Sequence, residues 1–311
     1  MTISTKEHQA LQDGIQELET KLRDAKVKLK DCEFSATRIP QGPQTQSKSD
    51  ILAAGSLHTL LLLADSALPL GSFAFSSGLE SYLAHSKGSA ARSRERPIPS
   101  QYALLQTFLD LSLKSLAGTA LPYVLAAYRN PAQLEELDNN FDASTSCTVA
   151  RRASVAQGRA LLSVWDRSYK SHYPAQTLAD QGESVAGAAI IMLYHFSGLL
   201  RASSSEPYPP NAHLAPLWGV ITQILSIPLH SAAYLFLFSH ARTVISAAVR
   251  ASVLGPYQAQ ALLASTELRD KIEALVVQYW NRITEESGQA VPAMDLWVGR
   301  HEMLYSRIFN S

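Results

Sequence analysis

From about residue 51 onward, apolar residues recur at three- and four-residue steps. That spacing lines one face of an α-helix. It predicts helices near 57–66, 78–86, 100–128, 144–168, 178–201, 213–226, 228–253, 257–285 and 300–308. β-branched runs with strict alternation are nearly absent, so no sheet is expected. The expected fold class is therefore all-α: one bundle of about nine to ten helices that bury their faces against each other. Two stretches interrupt the pattern: the basic segment 87–99 (KGSAARSRERPIP) and the Pro/Ser segment 202–212 (ASSSEPYPPNA). Residues 1–33 are rich in Lys, Glu, Gln and Leu at roughly helical spacing, which predicts an amphipathic helix or a weak coiled-coil arm, marginal alone. Residues 34–50 carry Pro, Gly and polar side chains and read as a linker. The expected division is thus 1–50 as extension and linker and 51–311 as the helical domain. No internal repeat has a fixed period.

Local signals sharpen two places. In Leu60–Glu80 (LLLLADSALPLGSFAFSSGLE) an apolar helix ends near Asp65-Ser66, and Pro69 and Gly71 mark a turn. Ser77-Gly78-Leu79-Glu80 fits the S-x-x-E capping box, with Ser77 at the N-cap and Glu80 reaching back. Ser72 is a second cap candidate, and Asp65 either caps the following turn or faces a partner. At the other end, Gly288, Pro292 and Gly299 predict an extended approach over 286–299. Leu304/Ile308 and Tyr305/Phe309 then stand at i, i+4, which would line one face of a short terminal helix. Such a helix must dock on its own body or fold on a partner. Aromatics beside Arg300 and Arg307 have the composition of interface anchors. Arg250 lies on an otherwise apolar helical stretch, where it either snorkels to solvent or clamps an interface.

Composition narrows the function class. The chain has 311 residues, 46% hydrophobic and 17% charged, which is ample for a core. Lys+Arg and Asp+Glu are both 27, so the net charge is zero, unlike a nucleic-acid binder held by phosphates. Zero net charge gives weak colloidal protection and suits life in a complex. Cys32 and Cys147 are far apart and form no CxxC pair, which excludes a disulfide framework and a thiolate zinc site and suits a reducing compartment. The N-terminus lacks the apolar stretch of a signal peptide, and neither Ile51–Leu70 nor Ala186–Leu200 is a clean span. A soluble, cytoplasmic protein is expected. There is no GxxxxGK[ST], no GxGxxG after a strand and no HExxH. The nine histidines are scattered, so they read as surface or core-edge residues and no metal site is expected. Residues 182–187 (GESVAG) imitate the nucleophile elbow of an α/β-hydrolase. That elbow needs a preceding strand, and YPAQTLADQ offers none. A hydrolase using Ser184 remains the weaker alternative, beside a general helical adaptor.

The 65–80 stretch closely resembles the N-terminal signature of the urease accessory protein UreF family, through Asp65, Ser66, Pro69, Gly71, Phe73, Ser76, Gly78, Leu79 and Glu80. Three later stretches agree in order. Arg151, Ser154, Gly158, Arg159, Leu161 and Leu162 are similar to that family's R-x-x-S-x-x-x-G-R-x-L-L helix. His213–Gly219 and Ala232–Arg250 resemble its central helices, and Arg300–Ser311 (RHEMLYSRIFNS) its closing motif. The chain departs after Arg250: it reads Ser252-Val253-Leu254-Gly255-Pro256-Tyr257, with the glutamine displaced to Gln258. The resemblance leaves out 1–50 and treats 166–210 as an insertion. It implies an all-α, non-enzymatic maturation factor, often a dimer, that bridges UreD (also called UreH) and the GTPase UreG on apo-urease. Nickel and GTP would then come through partners, with no metal, cofactor, nucleic acid or membrane bound directly. The interface residues it implies are Asp65, Ser66, Pro69, Gly71, Phe73, Ser76, Glu80, Arg250, Gly255, Arg300, His301, Glu302, Tyr305, Arg307 and Phe309, with 286–311 as a partner-binding tail.

Overall fold

The structure, a computed structural model, describes residues 16–23, 26, 48–90, 100–173, 185–202 and 209–310. Cys32, Ser184, most of the 34–50 linker and residues 91–99 lie outside that set. The chain divides into two compact units, Met1–Ala54 and Gly55–Ser311. In the first, residues 16–23 are helical and exposed, with a Glu17–Lys21 pair at 2.7 Å on one helical face.

From Lys48 onward the described residues form twelve α-helices and no strand. They are α1 (Lys48–Ala64), α2 (Leu79–Ala90), α3 (Gln101–Thr119), α4 (Leu121–Arg129), α5 (Leu134–Ser144), α6 (Thr148–Val164), α7 (Val185–Arg201), α8 (Leu214–Ile224), α9 (Leu229–Arg250), α10 (Pro256–Leu263), α11 (Thr266–Tyr279) and α12 (Ala293–Arg300). The all-α expectation holds, with more and shorter helices than nine or ten. The stretch 100–128 splits at Ala120, where Pro122 enters the first turn of α4. The stretch 257–285 splits at Ser265, whose hydroxyl accepts the Leu268 N–H at 3.2 Å and starts α11. Helix α12 occupies the expected extended approach. The expected terminal helix over 300–308 is absent: a 3₁₀ turn, His301–Met303, is followed by non-helical chain.

Helix α8 is the hub. Its sequence LAPLWGVITQI is apolar on every side, and such a helix has no face for solvent. It packs against α4, α5, α6, α7 and α9. Helix α7 contributes Ile190, Leu193 and Phe196 to the same core. Helix α9 runs along α3, α10 and α11. By length and composition α9 would pass for a membrane span, but 56% of its apolar window is buried against neighbouring helices, as in a core helix. Helix α12 closes the bundle over α2, α3 and α6. Trp297 anchors it, with its ring 4.7 Å from Tyr82 and 6.3 Å from Phe108.

Candidate functional site: a pinned tail and a buried lock

The expected capping box does not form. Ser77 has φ 54 and Gly78 φ 89, so both sit in the left-handed region before α2 begins. A Cβ at Gly78 would also stand 3.0 Å from Val298 Cγ2. Ser76 takes the capping position instead. It is fully buried, and its Oγ accepts the Glu80 N–H at a long 3.5 Å. Glu80 is freed from the cap and works 228 residues away. Its carboxylate accepts the Ile308 N–H at 2.8 Å and the Phe309 N–H at 3.3 Å.

That contact pins the closing motif. Asn310 N–H reaches Ala74 O at 2.8 Å. His301 is fully buried, with Nε2 2.9 Å from Phe309 O and Nδ1 3.7 Å from Glu80 Oε2. Phe309 is buried under the Arg250 guanidinium, 4.5 Å from its ring centroid. Arg250 thus stacks on the tail, while its Nε reaches Ser246 O at 3.4 Å. Glu302 pairs with Arg152 of α6 at 2.7 Å. The tail therefore brings Glu80, Ala74, Arg250 and Arg152 to one surface. What points outward is apolar: Met303 is 82% exposed, Tyr305 fully, Ile308 63% and the neighbouring Phe73 71%. Arg300 and Arg307 are exposed, with no ion pair among the described residues.

The other expected residues lie apart from this contact. Asp65 Oδ1 accepts the Ala67 N–H at 2.9 Å and so caps the turn after α1. Ser66 and Pro69 are exposed in that turn. Gly71, at φ 68, starts the 3₁₀ turn Ser72–Ala74. Ser72 does not cap it but donates to Gln157 Oε1 at 2.8 Å. Gly255 starts α10, and the displaced Gln258 has a local role: its Oε1 accepts the Gly255 N–H at 3.1 Å.

A second, buried cluster is centred on Asp138 and residues 211–214. Asp138 of α5 is fully buried. Its carboxylate accepts the backbone N–H groups of Asn211 (2.7 Å), Ala212 (3.0 Å) and His213 (2.6 Å). The α6 motif holds the same strand of chain from the other side. Arg159 Nε donates to Asn211 O at 3.2 Å. Gly158 passes so close that a Cβ there would sit 2.0 Å from Ala212 O. Ser154 Oγ accepts the Leu214 N–H at 3.3 Å and lies 3.1 Å from His213 Nδ1. His213 Nε2 faces Asp142 Oδ1 at 3.0 Å, and Arg151 pairs with Asp142. The motif R-x-x-S-x-x-x-G-R is thus a clamp on residues 211–214 and so on the start of α8.

The order Ser154–His213–Asp142 has the connectivity of a nucleophile relay. Its chemistry is that of a lock. Burial pushes the His213 pKa down to about 4, and Arg151 and Arg159 add to the shift against the opposing pull of Asp138. A neutral ring facing a carboxylate through Nε2 carries its proton there, so Nδ1 accepts from the Ser154 hydroxyl. A base at about 4 takes up few protons at neutral pH.

This fixes a pH dependence. The unfolded histidine titrates near 6.5 and the folded one near 4. Between those values the unfolded chain binds more protons, so stability falls as pH falls through the window. The shift corresponds to about 3 kcal/mol at most. Urea unfolding midpoints should decline from pH 7 to pH 4.5, and a flat profile would contradict the buried neutral ring. Burial lowers His240 to about 4 as well, and it acts in the same direction. His213 and His301 are thus fully buried rather than at the surface or core edge, as expected of the histidines. No group of three or more His, Cys, Asp or Glu able to hold a metal occurs among the described residues.

Comparison with known proteins gives this arrangement its family. The family model described as UreF matches residues 101–267, more than half of the chain. The chain belongs to the UreF family. A fission-yeast (Schizosaccharomyces pombe) protein named uncharacterized urease accessory protein UreF-like is 34% identical over 254 residues, covering 82% of this chain and 97% of its own length. Urease accessory protein F of rice (Oryza sativa subsp. indica) is 29% identical over 256 residues, covering 82% and 85%. Urease accessory protein UreF of the bacterium Paenarthrobacter aurescens is 28% identical over 249 residues, covering 80% and 95%. In UreF terms, the clamp on 211–214 and the hub helix α8 lie inside the matched region, and the pinned tail lies outside it.

Proposed function

We propose that this UreF-family chain is a non-catalytic maturation factor for urease. It acts in the cytoplasm as a homodimeric scaffold that bridges UreD (UreH) and the GTPase UreG on apo-urease while nickel enters the metallocentre. Nickel is cargo in this reading, and GTP hydrolysis belongs to UreG. The observation that carries it is the tail. Its backbone is pinned by Glu80 and Ala74, while Met303, Tyr305 and Ile308 stand exposed beside Phe73. Exposed aromatic and aliphatic groups held on a fixed backbone lose little freedom when a partner covers them.

The test is co-purification of the full chain with UreD and UreG, read by size exclusion with light scattering. Full-length protein should form a complex containing two copies of this chain with both partners. The double variant Tyr305→Ala/Ile308→Ala removes only exposed groups, so it should stay folded and lose capture at least tenfold (~1.4 kcal/mol). Full-length protein that takes up neither partner would sink the proposal. Undiminished capture by the double variant would sink the tail's part in it.

A further inference from the structure

A cavity of 290 Å³ lies inside the helical unit, between the 70–77 loop, α3, α6, α9 and α12. It is independent of the tail surface and of the partner reading. Its lining carries many hydroxyl groups, and four of them donate to nearby backbone carbonyls. Thr119 donates to Ser115 O (2.9 Å), Ser144 to Phe141 O (3.0 Å), Thr145 to Phe141 O (2.7 Å) and Thr243 to Ser239 O (2.9 Å). Gln157, also in the wall, has its amide N–H on Ala153 O at 3.2 Å. The protons of the four hydroxyls are committed to the protein, so they retain lone pairs for the cavity, while Gln157 keeps a second amide N–H.

Two further groups of the lining belong to α9. Ser239 Oγ is shielded from solvent and has no hydrogen-bond partner. His240, held neutral by burial, contacts Ser112 Oγ. A buried polar atom without a partner is costly, and it marks where a guest atom would be stabilised. Charge is scarce: Asp295 is the single charged side chain in the lining, and its Oδ1 already accepts from Gln289 Nε2 at 2.9 Å. No Lys or Arg is present to hold an anion. The remaining wall is apolar and partly aromatic, through Phe75, Phe141, Trp218 and Phe236.

We propose that this cavity is a binding site for a small, uncharged, planar molecule that carries N–H donors, of the primary-amide class. The amide N–H groups meet the lone pairs of Thr119 and Thr243, its carbonyl oxygen accepts from the unpartnered Ser239 hydroxyl, and its flat apolar part lies against the aromatic side. Ser144 and Ser146 are exposed and mark the mouth.

The experiment uses the full-length protein and benzamide as the probe, with benzoate as the charged twin. Binding is read by ligand-observed NMR titration. Benzamide should bind saturably and at least tenfold more tightly than benzoate. The near-isosteric double variant Thr119→Val/Thr243→Val should weaken benzamide at least tenfold. Thr107→Val, on the exposed face of α3, should leave it unchanged. Equal or tighter binding of benzoate, benzamide binding unaffected by the double variant, or no saturable binding would each overturn the proposal. If the double variant does not fold, a crystal of the wild-type protein grown with benzamide decides: the molecule in this cavity supports the site, and water alone there refutes it.

Discussion

Asp138→Ala is expected to lower stability as much as truncating a fully buried core aromatic. Three backbone N–H groups, those of residues 211, 212 and 213, end on this one carboxylate. Asp138 is fully buried, so water cannot replace it without opening the core. An orphaned buried donor costs about 1–3 kcal/mol, and three of them about 3–6 kcal/mol after some relaxation. For a body of this size each kcal/mol moves the melting temperature by about 2–4 °C, so a fall of roughly 6–24 °C is expected. Asp138→Asn keeps one acceptor oxygen and should lose about half as much. Glu136→Ala, exposed on the same helix, should stay within about 0.5 kcal/mol. Thermal and urea unfolding measure all three. A loss below 1 kcal/mol for Asp138→Ala would mean that residues 211–214 are held by α6 alone.

The same cluster marks what local pattern can and cannot reveal. Helix α8 was legible because LAPLWGVITQI can only be buried. Helix α5 was not. Leu134, Leu137 and Phe141 keep helical spacing, but Asp138, Asn139 and Asn140 between them thin the apolar stripe, and no helix was expected there. The acceptor role of Asp138 depends on chain 73 residues or more away. The motif of Arg151, Ser154, Gly158 and Arg159 was visible as a string, yet its object was not, because Asn211-Ala212-His213 carries no signal of its own. Ala212 adopts φ 68, which no residue preference suggests. The tail failed in a complementary way. Its i, i+4 spacing is helical, but the N–H groups of residues 308 and 309 find the Glu80 carboxylate instead of helix carbonyls. A non-local acceptor overrode a local pattern too short to stand alone. Thus the sequence marked Glu80, Arg250, His301 and Phe309 as significant, and only the fold showed that they touch.

Glu80 is the position where that difference is measurable. As a capping residue it would protect amides at the start of α2. As found, it holds the tail. Glu80→Ala removes the acceptor of two N–H bonds and leaves His301, fully buried, without its facing carboxylate. Hydrogen exchange should therefore quicken at residues 308 and 309, by tenfold or more, and not at residues 80–82. Each lost bond to a charged acceptor is worth about 1.5–3 kcal/mol locally. Little of that reaches the global unfolding midpoint, because the released segment carries one core side chain, Phe309, and Phe309 keeps the Arg250 stack. Glu80→Gln retains one acceptor oxygen and should fall between wild type and alanine. If the exposed residues of the tail are the partner surface, loosening the backbone that aims them adds an ordering cost to every encounter. Capture of the UreD–UreG pair should then fall at least tenfold in Glu80→Ala while the fold persists. Faster exchange with undiminished capture would separate the two ideas: Glu80 would still be the anchor, and the recognised surface would lie elsewhere. Unchanged exchange at residues 308 and 309 would remove the anchor itself.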